Sequence, residues 1–339
     1  MNAQQQADAP LLITTRALLA RSPKLLPGLV LLIALMIIGA VTVDGFTNSA
    51  NVKSMLLLAS FLGIAAYGQT LCALVGGIDL SIPFLIGAAN VLLVWFLGKG
   101  LSPGLAIAAV LALAALIGLL SATISKAVQV HSLIVTLGVG FVVIGVAQIV
   151  TTAGSEFAGN VYGTPPAWLT EMTSLRSTTL GIGVPPVVAL WLVLSIAGIT
   201  FLRMTTFGRG IYAMGGNPVA AERVGVSVNT TWLVVFMLSA VFAALTGVLL
   251  VGFSGGGVVS VGEPYLFTTI AAVVVGGSSL LGGQGGYGLT LLGVAVLTVL
   301  QTVLVGLGLS PPGQETVLGL MIIATVALYA REPHPRSRI

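Results

Sequence analysis

Cysteine, histidine and carboxylate side chains, from which nucleophiles, general bases and metal sites are assembled, are sparse in this chain and nowhere gather at catalytic or metal-ligand spacing. Cys72 is the only cysteine and sits inside an apolar run, where it can form no internal disulfide and has no ligand partner, so packing is its expected role. His131 stands at the edge of another apolar run, where an interfacial polar residue and a proton relay are both open readings. Gly-x-x-x-x-Gly-Lys-Ser/Thr, the backbone cradle that ATP phosphates need, does not occur. The chain is therefore expected to carry no catalytic residue, no metal and no cofactor of its own. The chemistry left to it is hydrogen bonding and docking.

Polar side chains inside apolar runs are the first carriers of that chemistry. Gln69, Asn90 and Gln148 lie in three such runs, and an amide left unpaired in hydrocarbon costs on the order of several kcal/mol. They must point inward, either to bond a neighbouring helix or to line a path for a neutral, hydroxyl-rich solute; Thr136 is a further path candidate. Asp79 follows Gly76-Gly77 and, with Ser81 and Pro83, precedes a new apolar run. A carboxylate at the bilayer centre costs about 2.5–3.5 kcal/mol on insertion scales, so Asp79 must face protein, water or a helix terminus. Two readings stand: Asp79 or Ser81 caps the run that begins at Ile82, or Asp79 touches the solute. Trp95, Trp191 and Trp232 are candidates for interfacial anchors.

These residues are carried by a chain that is 57% hydrophobic and 6% charged, against about a quarter charged in soluble domains. It is an integral membrane protein. Apolar runs of roughly 17–22 residues recur, the length an α-helix needs to cross about 30 Å of hydrocarbon, without the alternation of a membrane β-barrel. The expected fold class is all-α: a polytopic transmembrane helical bundle of ten spans at 25–43, 55–75, 82–97, 105–125, 133–150, 184–202, 230–251, 265–275, 289–309 and 314–329. On that count Arg16, Arg21, Lys24, Lys126, Arg203, Arg209, Arg223, Arg331, Arg336 and Arg338, ten of the 13 basic residues, share one side. By the positive-inside rule both termini are cytoplasmic. The net charge of +4 then reflects topology, and no nucleic-acid partner is expected. The first ten residues are polar, without a basic residue, and do not read as a cleavable signal peptide. The organisation expected is a cytoplasmic segment 1–24, one membrane domain 25–330 and a cytoplasmic tail 331–339. Five spans in each half give the halves opposite orientation, which is compatible with an inverted repeat.

The longest polar interruption of the second half, 203–229, is where docking is expected. Asn217 before Pro218 reads as an N-cap with proline at the first helical position, and Gly225 as a left-handed terminator. About seven residues fit between them, a helix of roughly 10 Å that is too short to span. It is either a docking helix or a plain connection.

The string from Phe207 to Val226, with Gly-Arg, Tyr-Ala-Met-Gly-Gly-Asn and Ala-Ala before Gly-Val, resembles the cytoplasmic loop of ABC-transporter permeases of the ribose and simple-sugar uptake type. The resemblance extends to Gly76-Gly77-Ile78-Asp79-Leu80-Ser81, to Ile134-Val135-Thr136-Leu137-Gly138 and to the segment from Ala271 through Gly276-Gly277-Ser278-Ser279 to Gly283, in family order over nearly the whole chain. It departs at Ile82-Pro83, where the family usually has a small residue and glycine, and at Ser132-Leu133, where it usually has Pro-Phe; both bear on substrate identity and leave the fold reading intact. Leu280-Leu281-Gly282-Gly283-Gln284 imitates the signature of ABC ATPases, but without a phosphate cradle it is a decoy; its glycines suit close helix approach or a break in the eighth span.

The resemblance implies an ATPase-coupling segment comprising Arg209, Tyr212, Gly215, Gly216, Asn217, Pro218, Ala220, Ala221, Glu222, Arg223 and Gly225. It implies a structural or gating role for Gly76, Gly77, Asp79, Ser81, Gly276 and Gly277. The expected partners are an ABC ATPase subunit that uses ATP and Mg, a periplasmic or extracellular sugar-binding protein, a second permease chain, and the lipid of a bacterial inner membrane. A monosaccharide is the expected cargo, with branched-chain amino acids or nucleosides as the alternative within the superfamily. A rival from another class, an ion-coupled secondary transporter, requires charged residues at mid-depth in the spans.

Overall fold

The computed structural model of the protein describes residues 25–128, 130–152 and 159–329. Each of the ten apolar segments coincides with a helix: α1 (Leu25–Thr42), α2 (Ser49–Leu74), α3 (Ile82–Gly98), α4 (Pro103–Val128), α5 (Ser132–Thr152), α7 (Pro186–Met204), α10 (Val228–Ser254), α11 (Tyr265–Val275), α12 (Tyr287–Gly306) and α13 (Pro311–Tyr329). Between them stand three short helices, α6 (Ala167–Thr173), α8 (Thr206–Gly216) and α9 (Pro218–Arg223). Seven of the ten, α1, α2, α4, α5, α7, α10 and α12, are long and apolar enough to cross a bilayer. The chain is thus a polytopic helical membrane protein. Helices α3 and α11 are shorter, at 17 and 11 residues, and each adjoins a glycine-rich, non-helical stretch.

Burial separates the helices into an inner and an outer set. The apolar window of α2 is 89% buried, whereas those of α1 and α5 are 17% buried, so α2 is enclosed by protein and the other two present their side chains outward. Helix α10 packs along α2, α3 and α4, and α12 along α1, α2 and α11. Glycines let the inner helices approach to backbone contact: a Cβ at Gly68 would stand 2.8 Å from Ser239 Cα, and one at Gly247 would collide with the Ile86 carbonyl oxygen. With little hydrophobic drive between helices in lipid, such close packing and interhelical hydrogen bonds hold the bundle together.

Asn90 supplies one of those bonds at both ends of its amide. Its Nδ2 donates to the Gly247 carbonyl at 3.0 Å, and its Oδ1 accepts from the Val258 amide at 2.7 Å. Val258 belongs to β2 (Gly257–Val258), which pairs antiparallel with β1 (Asn160–Val161). The polar segment after α5 therefore folds back, through this ribbon and α6, over the ends of α3 and α10.

Trp191 departs from the anchor role expected of it. It is 8% exposed, and its Nε1 donates to the Tyr287 hydroxyl at 3.1 Å, which in turn donates to the Gly63 carbonyl at 2.8 Å. A glycine at position 63 leaves room for the indole, because a Cβ there would overlap it. The central alanines and glycines of α2 thus admit a large ring from α7. Trp232 also has a buried indole nitrogen, whereas Trp95 lies 5.5 Å below the Lys99 ammonium.

Replacing Asn90 by leucine leaves the Gly247 carbonyl and the Val258 amide without their partner, each a penalty of about 1–3 kcal/mol. The Asn90→Leu protein is expected to denature several degrees lower in detergent, as followed by fluorescence-detected size exclusion against temperature.

Candidate functional site

Helix α8 forms despite four glycines because its N-terminus is capped and one face is buried. Thr205 Oγ1 accepts from the Gly208 amide at 2.9 Å, and Gly208, Gly210, Ile211, Met214 and Gly215 are all buried. The spacing of these glycines forms a flat helical side that lies against backbone. Gly215 is the tightest point, where a Cβ would overlap the Leu74 carbonyl oxygen.

The adjoining chain closes the contact. Gly283 N–H donates to the Leu74 carbonyl at 2.9 Å, and the Tyr212 hydroxyl donates to the Gly285 carbonyl at 3.2 Å. Burial pushes the Tyr212 phenol above its ordinary value, so it stays protonated and able to donate. Gly282 and Gly286 serve a break after α11 rather than a helix–helix seam: both lie in the non-helical segment 276–286, with φ of +94° and +143°. The end of α2, the end of α8 and this glycine segment form a single backbone junction.

Helix α9 leaves the junction on its outer side. Asn217 Oδ1 accepts from the Ala220 amide at 3.0 Å, Pro218 occupies the first turn, and Gly225 takes φ +87°. Cap, proline and terminator stand where the sequence places them, around a helix of six residues, Pro218–Arg223, rather than seven. Arg209, Gly216, Asn217, Ala220, Glu222, Arg223 and Gly225 are exposed, Ala221 is buried, and Val219 and Val224 are 63% and 77% exposed.

Beyond the turn in which Gly76 and Gly77 N–H still donate to carbonyls at the end of α2, residues 78–80 run through protein without helical hydrogen bonds. Ser132 Oγ on α5 accepts from Ile78 N–H and donates to its carbonyl, both at 3.1 Å, and Thr136 Oγ1 accepts from Leu80 N–H at 2.9 Å. Ser132 and Thr136, one turn apart, thus replace the backbone partners that this stretch lacks. Thr136 is fully buried and holds structure at that position. Neither Asp79 nor Ser81 caps α3 with its side chain as expected, although Pro83 does sit in its first turn. Asp79 Oδ1 instead accepts from Ser81 N–H at 2.9 Å and from Ser81 Oγ at 2.5 Å, while Oδ2 accepts from Ser239 Oγ of α10 at 2.7 Å. The carboxyl ties the turn to a neighbouring helix because its two oxygens point to different elements.

Gly77 lies under Trp232 and Phe236, and Gly276 against Leu289. Gln69 is wholly buried on α2, and Gln148 is half-buried on α5. Cys72 is buried beside the Asp79–Ser239 pair, as a packing residue would be. His131 is exposed at the start of α5. Among the described residues no histidine, cysteine or carboxylate cluster could hold a metal ion. The three-part junction and the bonds of Ser132 to Ile78 were not legible in the sequence, because each joins residues more than 50 positions apart.

Residues 51–326 match the family described as Branched-chain amino acid transport system / permease component. The chain is 34% identical to the probable ABC transporter permease protein YphD of Escherichia coli K12, across 88% of this chain and 87% of that protein. It is 32% identical to the ribose import permease protein RbsC of the same organism, across 87% and 90%. To the fructose import permease protein FruG of Bifidobacterium longum it is 29% identical, across 89% of each. No solved structure matches the chain.

Removing the Ser239 hydroxyl deletes one bond to a buried carboxyl, worth about 1.5–3 kcal/mol if that group is charged. Ser239→Ala is expected to lower the thermal midpoint by a few degrees, and Asp79→Ala, which strips the partner from two serines at once, by more. Thermal denaturation of the two variants side by side checks the order.

Proposed function

The chain belongs to the family of branched-chain amino acid transport system permease components, and on that premise we propose that it is the membrane-spanning subunit of an ATP-driven importer whose cargo is a monosaccharide of the ribose or hexose class. Relatives named as ribose and fructose import permeases over most of their length support that cargo. In this reading it works in a bacterial inner membrane with a separate ATPase, an external binding protein and a second permease chain. Ten helices cross, both termini lie in the cytoplasm, and the two halves run in opposite orientation.

The observation that carries the reading is the two-sided character of α8 and α9. One side, through Gly215 and Tyr212, is joined to the ends of α2 and the 276–286 segment; the other exposes Val219, Val224, Arg209, Glu222 and Arg223. Exposed valines beside paired charge types on a short capped helix suit a groove of a partner protein. Displacement of α9 by an ATPase is then passed to α2 through the Leu74 carbonyl and to the break after α11 through Tyr212. Interrupted helices that can tilt at their breaks change which side of the membrane the path opens to. The ion-coupled alternative lacks its groups: among the described residues Asp79 is the one acidic or basic side chain that is buried, and its carboxyl is already bonded to Ser81 and Ser239.

Charge reversal at Arg209 and Glu222 together with Val219→Asp is expected to abolish co-purification of the ATPase and uptake, while the thermal midpoint stays within a degree or two. Intact assembly and transport in that variant would remove α9 from its role. Uptake of radiolabelled ribose and fructose by the wild-type assembly tests the cargo, and a transported amino acid in their place would overturn it.

A further inference from the structure

Among the described residues Gln69 is the one buried side-chain amide whose hydrogen-bonding groups find no partner. It is fully buried, and neither its Nε2 nor its Oε1 has a partner, whereas Asn90 is bonded at both ends of its amide. Buried polar groups are almost always paired, so an amide left alone at the centre of the bundle requires an explanation. Helix α2 could hold an alanine or leucine there, as it does at Ala65, Ala66 and Ala73, all wholly buried one turn to either side.

Its neighbours on α2 indicate which way the side chain points. Gly68 meets Ser239 of α10, Thr70 Oγ1 lies 2.8 Å from Thr290 Oγ1 of α12, and Tyr67 lies against Gly198 of α7. With about 100° per residue, Gln69 projects on the arc that these three helices leave open, and α11 is the other apolar helix packed extensively on α2. Helix α11 offers it no free hydroxyl: Thr268 and Thr269 donate to the carbonyls of Pro264 and Tyr265. Gln69 therefore stands between the central helix and an interrupted one. It lies five residues, about 7.5 Å, from Leu74, whose carbonyl belongs to the backbone junction under α8.

We propose that Gln69 is a substrate contact at the inner end of the translocation path, closed over in the conformation described, whose amide pairs with hydroxyl groups of the sugar as the path opens. This rests on the sugar-import reading above. An amide presents one acceptor and two donors without charge, the set that matches adjacent hydroxyls of a polyol. The site is weak by design, since a group that held sugar tightly at the exit would slow release. Interrupted helices are where transporters place such contacts, and movement of α9 would reach Gln69 through α2 itself.

Gln69→Met keeps length and volume and removes every hydrogen bond. Reconstituted with its ATPase and binding protein, this variant is expected to keep the wild-type thermal midpoint and ATPase co-purification, lose at least tenfold in maximal uptake rate, and no longer distinguish the sugar from its single-deoxy analogues. Gln69→Asn is expected to recover part of the rate and of the discrimination. Wild-type rate and discrimination in Gln69→Met would overturn the assignment. So would a fall in thermal midpoint or loss of assembly in both variants, which would make the amide structural. If the wild-type assembly moves amino acids and no sugar, the import reading itself fails, and the inference falls with it.

Discussion

Backbone that leaves the helix inside a membrane protein has no water to bond, and the arrangement of this protein follows from how two such segments are supplied with partners. In residues 75–81, Ile78 and Leu80 receive theirs from Ser132 and Thr136 on a neighbouring helix and Ser81 from the carboxyl of Asp79. Residues 276–286 receive theirs from Ser278, from Leu74 and from Tyr212. The bonds from Ser132, Thr136, Leu74 and Tyr212 join distant parts of the chain, so both breaks lock helices together where unbroken helices would only pack, while those of Asp79 to Ser81 and of Ser278 to Gly286 shape the turns themselves. Serine and threonine hydroxyls recur among the side chains involved, and glycines line the contacts, because the partner is backbone and backbone must come close.

The same requirement explains why the exposed helix α9 and the interior are one unit. Helix α8 is glycine-rich on the side that meets the ends of α2 and the segment after α11, and any side chain at Gly215 would separate them. Helix α9, on the far side, is short, capped and exposed. A force applied to α9 meets a rigid contact rather than a flexible loop. The two breaks, lying next to that contact, are the places where rigid helices can change direction.

Within the bundle, neutral polar groups take three different parts. Asn90 ties α3 to α10 and to the outer ribbon, Thr136 supports the first break, and Gln69 alone is left unbonded. All three look alike in the sequence, a polar residue in an apolar run. What separates them is whether the side chain finds a partner, and for Asn90 and Thr136 that partner lies far along the chain. Trp191 makes the same point for aromatics: an indole in the second turn of α7 is drawn inward because α2 has glycine at position 63.

Composition and run length by themselves determined a multi-helix membrane protein, since 6% charge cannot solvate a globular surface and the runs match the bilayer. Local chemistry determined α9 as well, because an N-cap, a proline and a left-handed glycine act within a few residues of one another. Helix α8 escaped that reading, as its glycines count against a helix until the backbone they pack on is known. Tertiary structure alone decided that Asp79 meets Ser239, that α2 is enclosed while α1 and α5 are not, and which of the amides is left without a partner. Those are properties of contact between segments 50 to more than 200 residues apart, and hydrophobic periodicity carries no record of them.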